Sequence, residues 1–328
     1  MSRTAFITGA DGFVGLNLTQ ELLHHGWTVF ALLLPSHSST YLDNMGATIL
    51  KGDITDKICL SRIFPEDVDA VFHVAADTSL CSSRNEHQTI VNVIGTRNVV
   101  DVALDKKAKR FVHMSSVAVF GFHNNHIHEK TPSTVKDTEI NYFISKALAE
   151  QEIFAGIQKG LDAVIINPAN IIGPYDTKGW AQIFIKIKEG EFSGIGAGGG
   201  SFCHVHEVVR IMRIAVDKGR KGERYILGGE DASYHHLALT AQKSIGGSVP
   251  DKPVPALMMH FMVWVVLFFY TLRRKEPFLT PEIVKLSTHW LCVNSSKAQE
   301  ELGYKPQSLD TMITDACDWL SSENLLPR

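Results

Sequence analysis

The 328-residue sequence is short of several things, and each shortage closes off a class of function. It has no surplus of positive charge, since 32 Lys and Arg against 35 Asp and Glu leave a formal net charge of −3. Without a basic stripe, a nucleic-acid partner is not expected. Cysteine is sparse and unpatterned. Cys59, Cys81, Cys203, Cys292 and Cys317 are odd in number and lack C-x-x-C spacing. They read as reduced thiols of a cytoplasmic protein rather than as a disulfide frame or a zinc site. There is no internal repeat and no low-complexity tract. A strand pattern begins within a few residues of Met1, leaving no room for a signal peptide. What a packed core needs is present: 45% apolar and 20% charged residues are an ordinary globular balance. At this length two domains, or one large elaborated domain, are expected.

The chain opens on Thr4-Ala5-Phe6-Ile7-Thr8, an apolar strand pattern that stops at Gly9-Ala10-Asp11-Gly12-Phe13-Val14-Gly15. A helical pattern then runs from Leu16 to His25. Glycines in that context let the backbone approach a pyrophosphate, and the helix N-terminus turns unpaired N–H groups toward it. Thr8, Gly9, Asp11, Gly12, Phe13, Val14 and Gly15 are therefore assigned to a dinucleotide. Further strand patterns at Thr28–Leu34, Ala47–Leu50, Asp69–Val74, Arg110–Met114 and Leu161–Ile166 alternate with helical stretches. That alternation implies an α/β fold, a doubly wound (Rossmann) parallel sheet with right-handed crossovers. We expect residues 1–166 to bind the dinucleotide and 167–328 to form mainly a smaller α+β substrate domain, with about 203–228 returning to the first.

Ligands of such sheets bind off the carboxyl ends of the strands. Those ends carry Leu34, Ser36 and His37, then Asp53 and Ile54, then Ala75, Ala76 and Asp77, then Ser116, and finally Asn167, Pro168 and Asn170. Asn92, on the helix after the fourth strand, joins the cofactor set. An acid after the second strand would favour NAD and an arginine NADP. Leu34-Pro35-Ser36-His37-Ser38 supplies neither, and its donors tilt the balance toward NADP(H) over NAD(H). Asp53 suits an adenine amino group, or equally a helix N-cap.

Tyr142 and Lys146 stand four apart in a segment of strong helix formers, so both leave one helix face. A phenol with a pKa of about 10 is a poor acid or base at neutral pH, and a neighbouring cation favours its phenolate. Taken with Thr8–Gly15, Ser115-Ser116-Val117-Ala118-Val119-Phe120-Gly121, Asn167-Pro168 through Gly173-Pro174, and Asn294–Ala298 with Leu302-Gly303-Tyr304-Lys305-Pro306, the pair completes a pattern. The sequence resembles the extended short-chain dehydrogenase/reductase family (the NAD-dependent epimerase/dehydratase superfamily) over nearly its whole length. The resemblance implies that Tyr142 is the general acid or base. Lys146 would hold the nicotinamide ribose and lower the phenol pKa, and Ser116 would hydrogen-bond the substrate oxygen. A homodimer is expected.

Nucleotide-sugar members of that family carry an R-D-F-x-x-V-D-D type segment whose arginine grips the substrate pyrophosphate. Here Gly200-Ser201-Phe202-Cys203-His204-Val205-His206-Glu207 stands in its place, with glycine for the arginine. A pyrophosphate needs charge-assisted donors. The chain, with Gly222–Gly229, looks closer to the dihydroflavonol-reductase, 3β-hydroxysteroid-dehydrogenase and hopanoid-associated branch. The expected reaction interconverts a carbonyl and an alcohol on a largely apolar small molecule. Nucleotide-sugar epimerisation or dehydration, and a non-catalytic NAD(P)-binding sensor or scaffold, are the alternatives. The preceding Gly194–Gly200 run reads as a flexible loop, a mobile lid or a spacer.

Two further stretches stand out. His123, His126 and His128, followed by Glu129, crowd one loop, but no further ligand lies near in sequence, so no metal is assigned. From Leu257 to Leu272 the chain is apolar on nearly every side and ends in Arg273-Arg274-Lys275. About 16 residues span roughly 24 Å, short of a ~30 Å hydrocarbon core, so a membrane span is rejected. The helix either covers an apolar pocket or dimer contact, or docks shallowly on a membrane surface through 257–272.

Overall fold

A computed structural model describes residues 2–273 and 279–327. Its main sheet has seven strands: β1 (Thr4–Thr8), β2 (Thr28–Leu33), β3 (Thr48–Lys51), β4 (Ala70–His73), β5 (Phe111–Met114), β6 (Ala163–Pro168) and β9 (Arg224–Leu227). All pair in parallel, in the order β3-β2-β1-β4-β5-β6-β9. Strands buried on both faces need continuous apolar runs. Ala5, Phe6, Ile7, Val71, Phe72, Phe111, Val112, Val164 and Ile165 accordingly have no exposed surface. The Phe13–His24 and Val205–Lys218 helices cover one face, while Thr96–Asp105 and Asn141–Gln158 cover the other. The strand order reverses between β1 and β4, which opens a crevice above that pair.

A second sheet sets β8 (Gly199–His204) against β7 (Asn170–Ile172) and β11 (Trp290–Leu291) in parallel and β10 (Asp231–Ser233) antiparallel. Phe184, Phe202, Leu237, Met312 and Ile313 fill the core beside it. The Gly194–Gly200 run is not the flexible loop its composition implies. Gly199 and Gly200 lie in β8 itself, and Gly196 bridges to Val254. A Cβ on Gly198 would stand 2.4 Å from the His289 carbonyl oxygen and 2.6 Å from that of Ser287. These glycines let backbone pack on backbone.

The helix carrying Asn92 also departs from the regular one expected. Asn85–Thr89 widens into a π-helix over Ile90–Gly95 before α-geometry resumes at Thr96. The Asn92 amide donates to the Asp77 carbonyl at 2.9 Å and to Ser145 Oγ at 3.0 Å. Gly95 admits Ile54, whose Cδ1 lies 2.6 Å from where a Cβ would be. Single π-turns of this kind concentrate at functional sites.

The apolar C-terminal stretch forms a helix, Ala256–Arg273. Met259 and Val263 are buried with Leu279 and Val284, while Leu257 (85%), Met258 (56%) and Phe261 (65%) are exposed. Among the described residues no helix is long and apolar enough to cross a membrane. Arg274 and Lys275 of the basic tail lie outside the described residues.

Candidate active site

The site begins where β1 ends. Gly9 adopts φ +69°, and its Cβ position would lie 2.7 Å from Ala75, so the strand-end loops of β1 and β4 touch. A Cβ on Gly15 would be 2.1 Å from the Gly9 carbonyl oxygen, which closes helix onto turn. Gly12 differs. It is the N-cap of the Phe13–His24 helix, offers no side-chain cap, and a Cβ there meets only Gly9 O, at 3.3 Å. An exposed helix start without a capping side chain fits the pyrophosphate of a dinucleotide. Thr8 lies wholly below the loop, its Oγ1 bonded to His73 Nδ1 at 2.8 Å and accepting from Ala75 N at 3.3 Å.

Around the expected adenosine end, Leu34, Ser36 and His37 are exposed at the tip of β2. His37 Nδ1 pairs with the Asp11 carboxylate at 2.6 Å, and Lys51 Nζ donates to the His37 carbonyl. Lys51 was not picked out in the sequence, and its place at the end of β3 is the signal that identifies it. Asp53 Oδ1 accepts from Thr55 N at 2.8 Å in a turn, and the cap of the next helix is Asp56 instead. Ile54 is buried beneath Gly95.

Several expected cofactor residues spend their side chains within the protein. Asp77 accepts from Ser79 N, Arg84 and His87, and these partners hold its carboxyl below the usual range against the opposing effect of burial. Asn92 clasps the Asp77 backbone from both sides. Asn170 Nδ2 donates to the Ser201 carbonyl at 3.0 Å, tying β7 to β8. Ala75 and Ala76 are half-buried on the loop facing Gly9, and Pro168 is buried at the end of β6.

Ser116, Tyr142 and Lys146 do come together. Ser116 caps a short 3-10 turn by accepting from Ala118 N at 3.1 Å, and its hydroxyl lies close enough to the Tyr142 phenol to act on its pKa. Lys146 is buried one turn along the same helix and donates to the Met114 carbonyl at 2.7 Å. Burial pushes its ammonium down to about 8, with Glu150 pulling the other way. The phenol moves opposite to the expectation of a lowered pKa. Burial raises it, and the nearby Ser116 hydroxyl only partly opposes the rise. The physical reason is that the lysine cation is turned to the Met114 carbonyl while desolvation acts on the phenol directly.

Glu150 is the residue that the sequence reading missed. It is 1% exposed and accepts from Ser115 Oγ at 2.5 Å, Asn167 Nδ2 at 2.7 Å and Arg224 Nε at 2.7 Å. Asn167 Nδ2 reaches the Ser116 carbonyl as well, at 3.1 Å. One carboxylate thus fixes the ends of β5, β6 and β9 against the Tyr142 helix. Its spacing, four after Lys146, was visible in the sequence, whereas Arg224 had no local signal. The surroundings are apolar: Tyr142, Leu80, Phe122, Ala169 and Leu286 are all partly buried against one apolar cluster that includes Phe120 and Phe143. Gly200 leaves no room for an arginine, because a Cβ there would lie 2.7 Å from the Leu291 carbonyl oxygen.

Comparison with known proteins agrees with this geometry. The model of the NAD dependent epimerase/dehydratase family matches residues 5–228. A Synechocystis protein provisionally named a dihydroflavonol 4-reductase is 30% identical, covering 98% of this chain and 96% of its own. Sterol demethylase protein B of Methylococcus capsulatus is 27% identical, covering 98% of this chain and 100% of its own. The crystal structure of gox2253 is 29% identical and superposes with a TM-score of 0.86, covering 99% of this chain and 100% of that one. The chain belongs to the NAD-dependent epimerase/dehydratase family of extended short-chain dehydrogenases/reductases, and it is an NAD(P)-dependent oxidoreductase.

Proposed function

We propose that the enzyme interconverts a ketone or aldehyde and its alcohol on a largely apolar substrate, with Tyr142 as the proton donor or acceptor. The observation that carries this reading is the Ser116 hydroxyl placed close to the Tyr142 phenol, at the margin of an apolar cluster that Leu80, Phe122 and Leu286 also border. The bound nicotinamide cofactor supplies the hydride chemistry. Ser116 positions the substrate oxygen and steadies the charge that develops on it. Tyr142 moves the proton at that oxygen. Lys146 is the cation one turn along the same helix, and Glu150 keeps that helix in register with the strand ends. The relatives named for a flavonol and a sterol support an apolar carbonyl substrate. Tyr142→Phe should lower kcat by about 10²–10⁴-fold while cofactor still binds. Full turnover by that variant would overturn the assignment.

NADP(H) is the cofactor we favour. His37 and Lys51 flank the tip of β2, where a 2′-phosphate would lie, while Asp11 weakens the case by pairing with His37. Rates with NADPH and NADH run in parallel decide it. We assign residues 1–166 to the cofactor and most of 167–328 to the substrate, with 203–228 completing the large sheet. The exposed Leu257, Met258 and Phe261 support shallow docking on a lipid surface, where a lipidic substrate would be met. Failure to float with anionic liposomes would count against docking. The expectation of a cytoplasmic homodimer is carried over from the sequence, and analytical sedimentation measures its mass.

A further inference from the structure

We propose that His126, Asp231 and Cys292 form a binding site for a divalent transition-metal ion of the zinc type. The three come from distant parts of the chain: the loop between Ser116 and Tyr142, the first residue of β10, and the residue after β11. Their ligand atoms, a ring nitrogen, a carboxylate oxygen and a thiol sulfur, all lie within 4.8 Å of one another. His126 Nε2 is 2.7 Å from Asp231 Oδ2. Zinc takes nitrogen and oxygen at about 2.0–2.1 Å and sulfur at about 2.3 Å, which places tetrahedral ligands roughly 3.3–3.8 Å apart. Small side-chain rotations reach that spacing.

The backbone under the three ligands is already rigid. His126 and Cys292 each directly precede a residue of the Ile127–Val293 bridge. Ile127 N donates to the Cys292 carbonyl at 2.9 Å, and Asn294 N donates back to the Ile127 carbonyl at 2.8 Å. Asp231 is paired in register with Ser201. The Ser201 hydroxyl donates to Asp231 Oδ1 while accepting from Val293 N. That second layer leaves Oδ2 to face His126, the arrangement in which outer partners orient a metal ligand. With the His126 side chain 60% exposed, an ion enters from solvent and keeps a water in its fourth position. Mixed nitrogen, oxygen and sulfur donors select zinc or cobalt over magnesium or calcium.

The neighbours that suggested a metal in the sequence are not part of the site. His128 Nδ1 accepts from Lys130 N, and Glu129 Oε1 accepts from Ile226 N. The other histidine cluster, His204, His206 and Asp315, carries less weight. His204 Nδ1 is committed to capping its helix at His206 N, and the ring is buried. A metal at His126 would clamp the loop bearing Phe122 to the C-terminal lobe. On binding, the Cys292 Sγ–H proton leaves to solvent as the sulfur–metal bond forms.

The test is Co²⁺ titration of the chelator-treated full chain, followed by thiolate-to-cobalt absorption in the near ultraviolet, with Zn²⁺ as competitor. A band should appear at one equivalent, vanish on Zn²⁺ addition and be absent in Cys292→Ser. His126→Ala, an exposed substitution, should weaken binding at least about tenfold without lowering Tm. Absence of the band in the wild type, its persistence in Cys292→Ser, or unchanged affinity in His126→Ala would each overturn the site. The readout does not depend on turnover, so it stands apart from the assignment of Tyr142.

Discussion

Residues 9–15 hold three glycines and residues 194–200 hold five, yet the two stretches do opposite things. In the first, Gly9 and Gly15 close a turn whose remaining glycine, Gly12, is exposed at a helix start. In the second, Gly196, Gly198, Gly199 and Gly200 each press against a carbonyl oxygen of a neighbouring segment. The first is a cradle, and the second is an interface between strands. Glycine density therefore reports close approach, and only the partner that approaches tells whether the segment binds a ligand or fills a core.

The comparison can be broken by adding a single methyl group. Gly198→Ala should have the largest effect. The new Cβ would meet two carbonyl oxygens, and overpacking against backbone costs about 3 kcal/mol. Denaturant unfolding measures it, and stability unchanged to within about 0.5 kcal/mol would mean that the second stretch yields after all. Acid acts on the support of the first stretch. His73 lies under the loop, bonded to Thr8 and Thr96, and burial with the nearby Lys146 lowers its pKa from 6.5 to about 3. The unfolded chain therefore takes up a proton below pH 6.5 that the folded state refuses. Stability should fall with pH between 6.5 and about 3, by about 2.5 kcal/mol from this residue at pH 4.5. The stacked His113, whose pKa burial also lowers, adds to the loss. Replacing His73 by Asn should flatten that slope, and an unchanged slope would exclude it as the source. The smallest effect is expected at Gly12→Ala. Its backbone suits alanine and its Cβ would make a single close contact, 3.3 Å from the Gly9 carbonyl oxygen, so Tm should fall only slightly while cofactor affinity drops about tenfold, or about 1.4 kcal/mol. Equal losses of stability and affinity would show that Gly12 packs rather than cradles.

Much of the cofactor half was legible in the sequence. A strand buried on both faces must be a continuous apolar run, and a crossover must be long enough for a helix, so β1 to β6 fell within a residue or two of their expected places. The pairing of Tyr142 with Lys146 followed from helix periodicity, and Ser116 from its place at a strand end. What escaped was set by partners far along the chain. Glu150 gains its meaning from Ser115, Asn167 and Arg224, the last 74 residues away. The π-turn at Ile90–Gly95 rests on Asn92 reaching Asp77 and Ser145. The phenol pKa failed for a related reason. Spacing shows that a cation is near, but not how much water the fold removes from the oxygen.

By itself, then, the chain determined its periodic elements, the glycine turn at the head of the first helix, and the one-turn spacing of its tyrosine and lysine. These are local, because backbone geometry and the period of apolar residues need no distant partner. Only the tertiary structure decided that Gly194–Gly200 is a packed strand, that Glu150 ties three strand ends together, and that His126 meets Asp231 and Cys292. Each of these depends on contacts between residues tens to hundreds of positions apart. Such contacts form where burial and hydrogen bonding outweigh the entropy of closing the loops between them.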